Sequence, residues 1–90
     1  MDFSTALAFL KAGQKMFRSG WNGKGIWVEA QRPDVHSKMT VPYLYMNVPA
    51  RESAYEENTP AVRSPWVPSQ SDLFADDWYD KDEHDAAFKA

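Results

Sequence analysis

Ninety residues accommodate one domain, and a chain this short hides only part of its surface, so one core plus a subunit interface is the expected build. A composition that is 43% hydrophobic and 14% aromatic supplies enough apolar material for a packed fold and excludes a disordered chain. Zero cysteines exclude a disulfide framework and a thiolate metal site, while 10 Lys+Arg against 13 Asp+Glu exclude the basic stripe that genomic nucleic acid requires.

The first element reads as a short amphipathic helix from Asp2 to Gly13, with Ser4 as its N-cap and Gly13 as its stop. Phe3 before that cap and Ala8 after it have the spacing of a hydrophobic staple, and Leu7 and Leu10 share a face that would dock on a sheet. Two strands follow, Lys15–Arg18 and Ile26–Ala30, the second rich in β-branched and aromatic residues. Between them Asn22-Gly23 is a strong turn signal, which predicts a hairpin carrying Trp21 at its tip. A third strand is expected over Pro42–Val48, then an exposed, mobile loop over residues 49–60, bounded by prolines. Pro65-Trp66-Val67-Pro68 should be extended, because the residue before each proline is pushed out of the helical region. Ser69 with Asp72 three residues later has capping-box spacing and predicts a short C-terminal helical turn. The fold class is therefore α+β: a short N-terminal helix on a small antiparallel sheet, in one domain over residues 1–79. Residues 80–90 are expected to be an acidic, flexible tail.

Catalytic chemistry is hard to assemble from these residues. His36 and His84 are the only histidines, each in a polar stretch, and a nucleophile needs a positioned base. They read as surface histidines, and no catalytic residue is assigned. Asp80, Asp82, Glu83, His84 and Asp85 lack the central Gly and terminal Glu of a calcium loop and read as a solvated face, so no metal ligand or cofactor is assigned either. The apolar runs are too short to span a bilayer and the start lacks a secretory-signal pattern, which points to a cytoplasmic protein without a membrane partner.

Tryptophans carry the binding signal. Turn geometry alone does not call for a large aromatic, so Trp21 is packed, at an interface or stacked on a ligand. Trp66 and Trp78 bracket Ser69, Gln70, Ser71, Asp72 and Asp77, a mixture that suits a nucleoside: rings stack on the base, and carboxylates accept from ribose hydroxyls or exocyclic amines. The competing reading makes Trp66, Leu73, Phe74 and Trp78 core anchors; it is adopted for Leu73 and Phe74 and left open for Trp66.

Phe3-Ser4-Thr5-Ala6-Leu7 through Lys11-Ala12-Gly13, Arg18-Ser19-Gly20-Trp21-Asn22-Gly23-Lys24-Gly25, and the block from Pro65 to Trp78 together resemble a phage family, the Thoeris anti-defence proteins of the second type. The resemblance implies a homotetrameric sponge that binds the cyclic ADP-ribose derivative of Thoeris signalling without cleaving it, in the host cell cytoplasm. In some members it extends to cyclic dinucleotides of CBASS systems at separate sites. Carried over by position, it assigns ligand binding to Trp21, Asn22, Trp66, Ser69, Gln70, Asp72, Asp77 and Trp78. The middle of the chain, from Gln31 to Pro60, matches no pattern of the family. An oligomeric module that inhibits a host protein directly is the alternative, with the acidic tail as bait for a basic surface. An enzyme comes last.

Overall fold

A computed structural model describes residues 1–21, 25–50 and 60–89. Five antiparallel strands, β1 (Met16–Arg18), β2 (Trp27–Gln31), β3 (Tyr43–Val48), β4 (Val62–Pro65) and β5 (Trp78–Asp80), form one sheet in the order β4-β3-β2-β1-β5. Helix α1 (Phe3–Lys11) lies against β5, β2 and β1, and the short α2 (Gln70–Phe74) packs beside it. This is the expected α+β class. The Asn22-Gly23 turn and most of the loop before Pro60 lie outside the described residues.

Local chemistry sets both ends of α1. Asp2, with extended backbone (φ −77°, ψ 171°), accepts a 2.8 Å hydrogen bond from the Thr5 amide and is the N-cap, two residues earlier than Ser4. A cap must precede the first helical residue, and Ser4 is already helical. Phe3 therefore does not staple onto Ala8; it opens the helix and turns its ring onto Trp78 and Trp66, with centroids 5.5 and 6.3 Å away. At the other end the Gly13 amide donates to the Leu10 carbonyl and the Gln14 amide to Phe9, each at 3.0 Å, the two bonds of a Schellman motif. Gly13 sits at φ +98°, where a side chain would be strained, so the predicted stop is a conformational requirement.

Strand register places Met16 opposite Val28 and Val28 opposite Met46, giving one apolar row under α1. Ala6, Leu10, Met16, Val28 and Trp78 are wholly buried and form the core, with Phe3, Leu7, Trp21, Leu44, Met46, Trp66 and Ala75 packed around it. The opposite face of the sheet is polar and aromatic. There the Tyr45 hydroxyl donates to Glu29 at 2.6 Å, and burial together with that carboxylate pushes the phenol up to about 12.

Three expectations are corrected here. The expected tail over residues 80–90 takes up regular structure through Lys89: Asp80 ends the edge strand β5, and α3 spans Lys81–Lys89. An i,i+4 ion pair, Lys81 with Asp85, supports that helix despite its acidity. His84 is half-buried, edge-on to Phe17 at 4.9 Å, rather than a solvated surface histidine. Leu73 and Phe74 are not core residues, being 40% and 85% exposed. A helix of five residues presents one narrow face inward, and here Asp72 occupies it. Among the described residues, no helix is long and apolar enough to cross a membrane.

Because β5 carries the buried Trp78 while α3 only abuts the sheet, two truncations should behave differently. A chain ending at Asp80 is expected to lose about 1 kcal/mol, the scale of one helix ion pair and one aromatic edge contact. A chain ending at Asp77 should show no cooperative thermal transition. Thermal melts followed by far-UV circular dichroism check both.

Candidate functional site

Two segments far apart in sequence meet at one end of the sheet: Arg18–Trp21, leaving β1, and Trp66–Trp78, running through α2 into β5. Trp78 lies at the bottom of their junction, 0% exposed, its indole N–H donating to the Asp72 carbonyl at 3.1 Å. Trp21 stands edge-on to it at 5.3 Å and Trp66 at 5.9 Å, and Trp21 and Trp66 are themselves 6.2 Å apart. Both Trp21 and Trp66 are half-buried, whereas Trp78 is wholly buried. Trp21 is thus folded back onto the core rather than standing clear at a hairpin tip. Trp66 is reached through the sheet, since its amide donates to Leu44 at 3.0 Å and prolongs the β3–β4 pairing by one residue.

Beneath the rings lies an ion triad. Arg18 donates from Nη1 to Asp72 Oδ1 and from Nε to Asp77 Oδ1, both at 2.8 Å. Asp72 Oδ1 also accepts from the Trp21 indole at 3.2 Å, while Oδ2 accepts from the Ser69 amide at 2.9 Å, and Ser69 Oγ accepts from the Asp72 amide at 3.1 Å. The predicted capping box is therefore present and carries a second duty: the carboxylate that caps α2 also holds the Trp21 ring. Asp77 Oδ2 accepts from the Gly20 amide at 2.8 Å and the Ser19 hydroxyl at 3.2 Å. A Cβ on Gly20 would sit 3.0 Å from that oxygen, so any larger residue would push the Asp77 carboxylate aside by a few tenths of an ångström.

These contacts tune the acids. Burial pushes the Asp72 carboxyl up, but the Ser69 amide, Arg18, the Trp21 indole and the Ser69 hydroxyl together outweigh it and hold it below the usual carboxylate range. Asp77 is lowered chiefly by Arg18, against a smaller opposing effect of burial, with help from the Gly20 amide and Ser19. The two carboxylates in turn raise Arg18.

Of the residues singled out from sequence, the structure gathers Trp21, Trp66, Ser69, Asp72, Asp77 and Trp78 in this one place. Gln70 opens α2 with its side chain exposed, and Asn22 lies outside the described residues. Trp78 has no ring face open to a ligand within the protomer, and the carboxylates of Asp72 and Asp77 are engaged by the chain itself. Sequence reasoning missed Arg18 as a member of the site. Its position at the strand end before the glycine-rich loop, with acidic residues conspicuous in the C-terminal block, was the available signal. Among the described residues, no group of three or more His, Asp or Glu side chains is arranged to hold a metal ion.

Fold and site together define a small α+β domain whose two motif segments build a tryptophan cluster locked by one arginine and two aspartates. The Thoeris anti-defense 2-like domain matches residues 1–80, and this chain belongs to that family. It is similar to Thoeris anti-defense 2 of Bacillus phage SP01, with 36% identity over 81 residues that cover 87% of this chain and 91% of the phage protein. The family match ends where β5 ends, so α3 lies beyond it.

The triad makes stability depend on acid in one direction. Asp72 and Asp77 are lowered in the folded chain, so their contribution is complete above the unfolded carboxylate value, about pH 4, and is lost as the pH falls through the folded values. Melting temperature is expected to be flat from pH 7 to 5 and to drop below pH 4. Asp77→Asn should cost about 1–2 kcal/mol at pH 7, a charge-assisted contact discounted for its partial exposure, and should make the acid drop shallower. Thermal melts from pH 3 to 7 for both proteins check the slope and its sign.

Proposed function

We propose that the protein acts against bacterial immune signalling by capturing a nucleotide-derived second messenger and holding it intact, as a sponge. The messenger is the cyclic ADP-ribose derivative of Thoeris systems, with cyclic dinucleotides of CBASS systems as further ligands, and the site of action is the host cytoplasm. Family membership supports the anti-defence role. The observation that carries the binding reading is the convergence of the two motif segments, 51 positions apart at Trp21 and Asp72, on two half-buried tryptophans. Trp21 and Trp66 would stack on a base, Gln70 would add an amide, and Trp78, Asp72 and Asp77 would act by fixing the other two. No covalent step is assigned, so the ligand should leave the protein unchanged.

The test is to incubate the purified protein with a panel of cyclic nucleotides, denature it by heat and analyse the supernatant. Intact ligand supports the sponge and altered ligand an enzyme, while no uptake favours direct inhibition of a host protein. Trp21→Ala is expected to weaken the dissociation constant about tenfold to hundredfold, the cost of one base–aromatic stack. Isothermal titration read at a temperature where the variant is folded checks this, and wild-type affinity in the folded variant would move the site elsewhere.

The working form is proposed to be a homo-oligomer, a tetramer. Phe74 and Val67 support association, since at 85% and 86% exposed they are apolar side chains that a lone protomer leaves in water. Light scattering should return a multiple of the 10.3 kDa protomer mass, and Phe74→Asp should lower it. A monomer mass for the unsubstituted protein at micromolar concentration would overturn the oligomer.

A further inference from the structure

We infer that Arg18 is the positioning residue of the Trp21 site, acting on the ligand only through the ring it sets; this rests on the reading of Trp21 and Trp66 as the stacking surface. Three elements that share no local sequence must agree before Trp21 can point one way: the end of β1, the capped start of α2 and the entry to β5. Arg18 touches all three. Its own backbone ends β1, its Nη1 reaches the α2 cap at Asp72, and its Nε reaches Asp77 one residue before β5. Each carboxylate then passes the constraint on to the loop. Asp72 Oδ1, fixed by Arg18, accepts from the Trp21 indole, and Asp77 Oδ2 accepts from the Gly20 amide immediately before Trp21. The Trp21 amide donates back to the Arg18 carbonyl at 3.2 Å, closing the turn. Ring and backbone of Trp21 are thereby held from the same guanidinium along two routes.

The geometry asks for a guanidinium rather than a positive charge. Nε and Nη1 address two different carboxylates at the same 2.8 Å, a fork that a single ammonium on a flexible stem does not reproduce. Arg18 and Asp77 lie outside the buried interior, and of the triad Asp72 alone is buried, at 7% exposure, beside the apolar core of Ala6, Leu10, Met16, Val28 and Trp78. Loosening the triad should therefore disturb the placement of Trp21 more than the fold.

Arg18→Lys separates the two. In ¹H–¹⁵N spectra the Trp21 indole N–H, assigned by its loss in Trp21→Phe, is expected to shift in Arg18→Lys while the Trp27 indole N–H, beside Tyr45 and Lys15 away from the triad, stays in place. With cyclic ADP-ribose and its Thoeris-type isomers as probes, the dissociation constant should rise about tenfold or more, measured well below the melting temperature, as for loss of a stack. Gly20→Ala, which crowds the Asp77 carboxylate and leaves Arg18 in place, should move the same resonance and weaken the same binding. It serves as the second variant if Arg18→Lys does not fold. An unmoved Trp21 resonance in the folded variant, or unchanged affinity despite a shifted one, would overturn the assignment. Failure of the unsubstituted protein to take up any of these probes would overturn the messenger-binding reading, whereas the resonance shift would still decide whether Arg18 positions Trp21.

Discussion

Burying Trp78 constrains more of this molecule than any other contact, because an indole with no exposed surface needs apolar neighbours on every side and an acceptor for its N–H. Phe3 comes from α1, Trp21 from the loop after β1, Trp66 from the end of β4, and the acceptor is the Asp72 carbonyl in α2. The Trp78 amide donates to the Met1 carbonyl at 3.1 Å, so the first residues are tied to the last strand as well. A domain of 90 residues has little surplus core, and removing a packed tryptophan costs about 3–5 kcal/mol, a large share of the stability of so small a domain. The strand order follows from the same demand, since β5 must return beside β1 to carry Trp78 under α1.

What the sequence made legible was what local spacing determines. The Ser69–Asp72 capping box and the Gly13 stop involve residues three to five positions apart, and both appear where the pattern puts them. The strands of the hairpin and β3 follow from β-branched and aromatic runs. The nearest competitor for a local role could still mislead: Ser4 and Asp2 both suit an N-cap, and the difference lies in which residue keeps extended backbone.

Long-range pairing was not legible in the same way. Arg18 finds Asp72 at a separation of 54 and Asp77 at 59, and nothing near Arg18 in the chain announces either partner. Leu73 and Phe74 were assigned inward by composition, yet their helix is phased by the Ser69–Asp72 box, which turns Asp72 in and leaves Phe74 out. In residues 80–90 net negative charge obscures the end of a strand, Asp80 paired with Met16, and the helix that follows it.

The triad also carries consequences for what the proposed site would accept. One guanidinium against two carboxylates leaves one net negative charge at the indole N–H edge of Trp21, in a partly desolvated setting where charge is poorly screened. A phosphate would be repelled there, whereas an uncharged base on the ring face would not. Rigidity adds to the advantage. A tryptophan fixed at its ring by Asp72 and at its backbone through Asp77 has lost its freedom on folding, so less is left to lose when a base stacks on it. Such preorganisation would add affinity for a base stacked on the ring, in a 90-residue chain with little further surface to supply it.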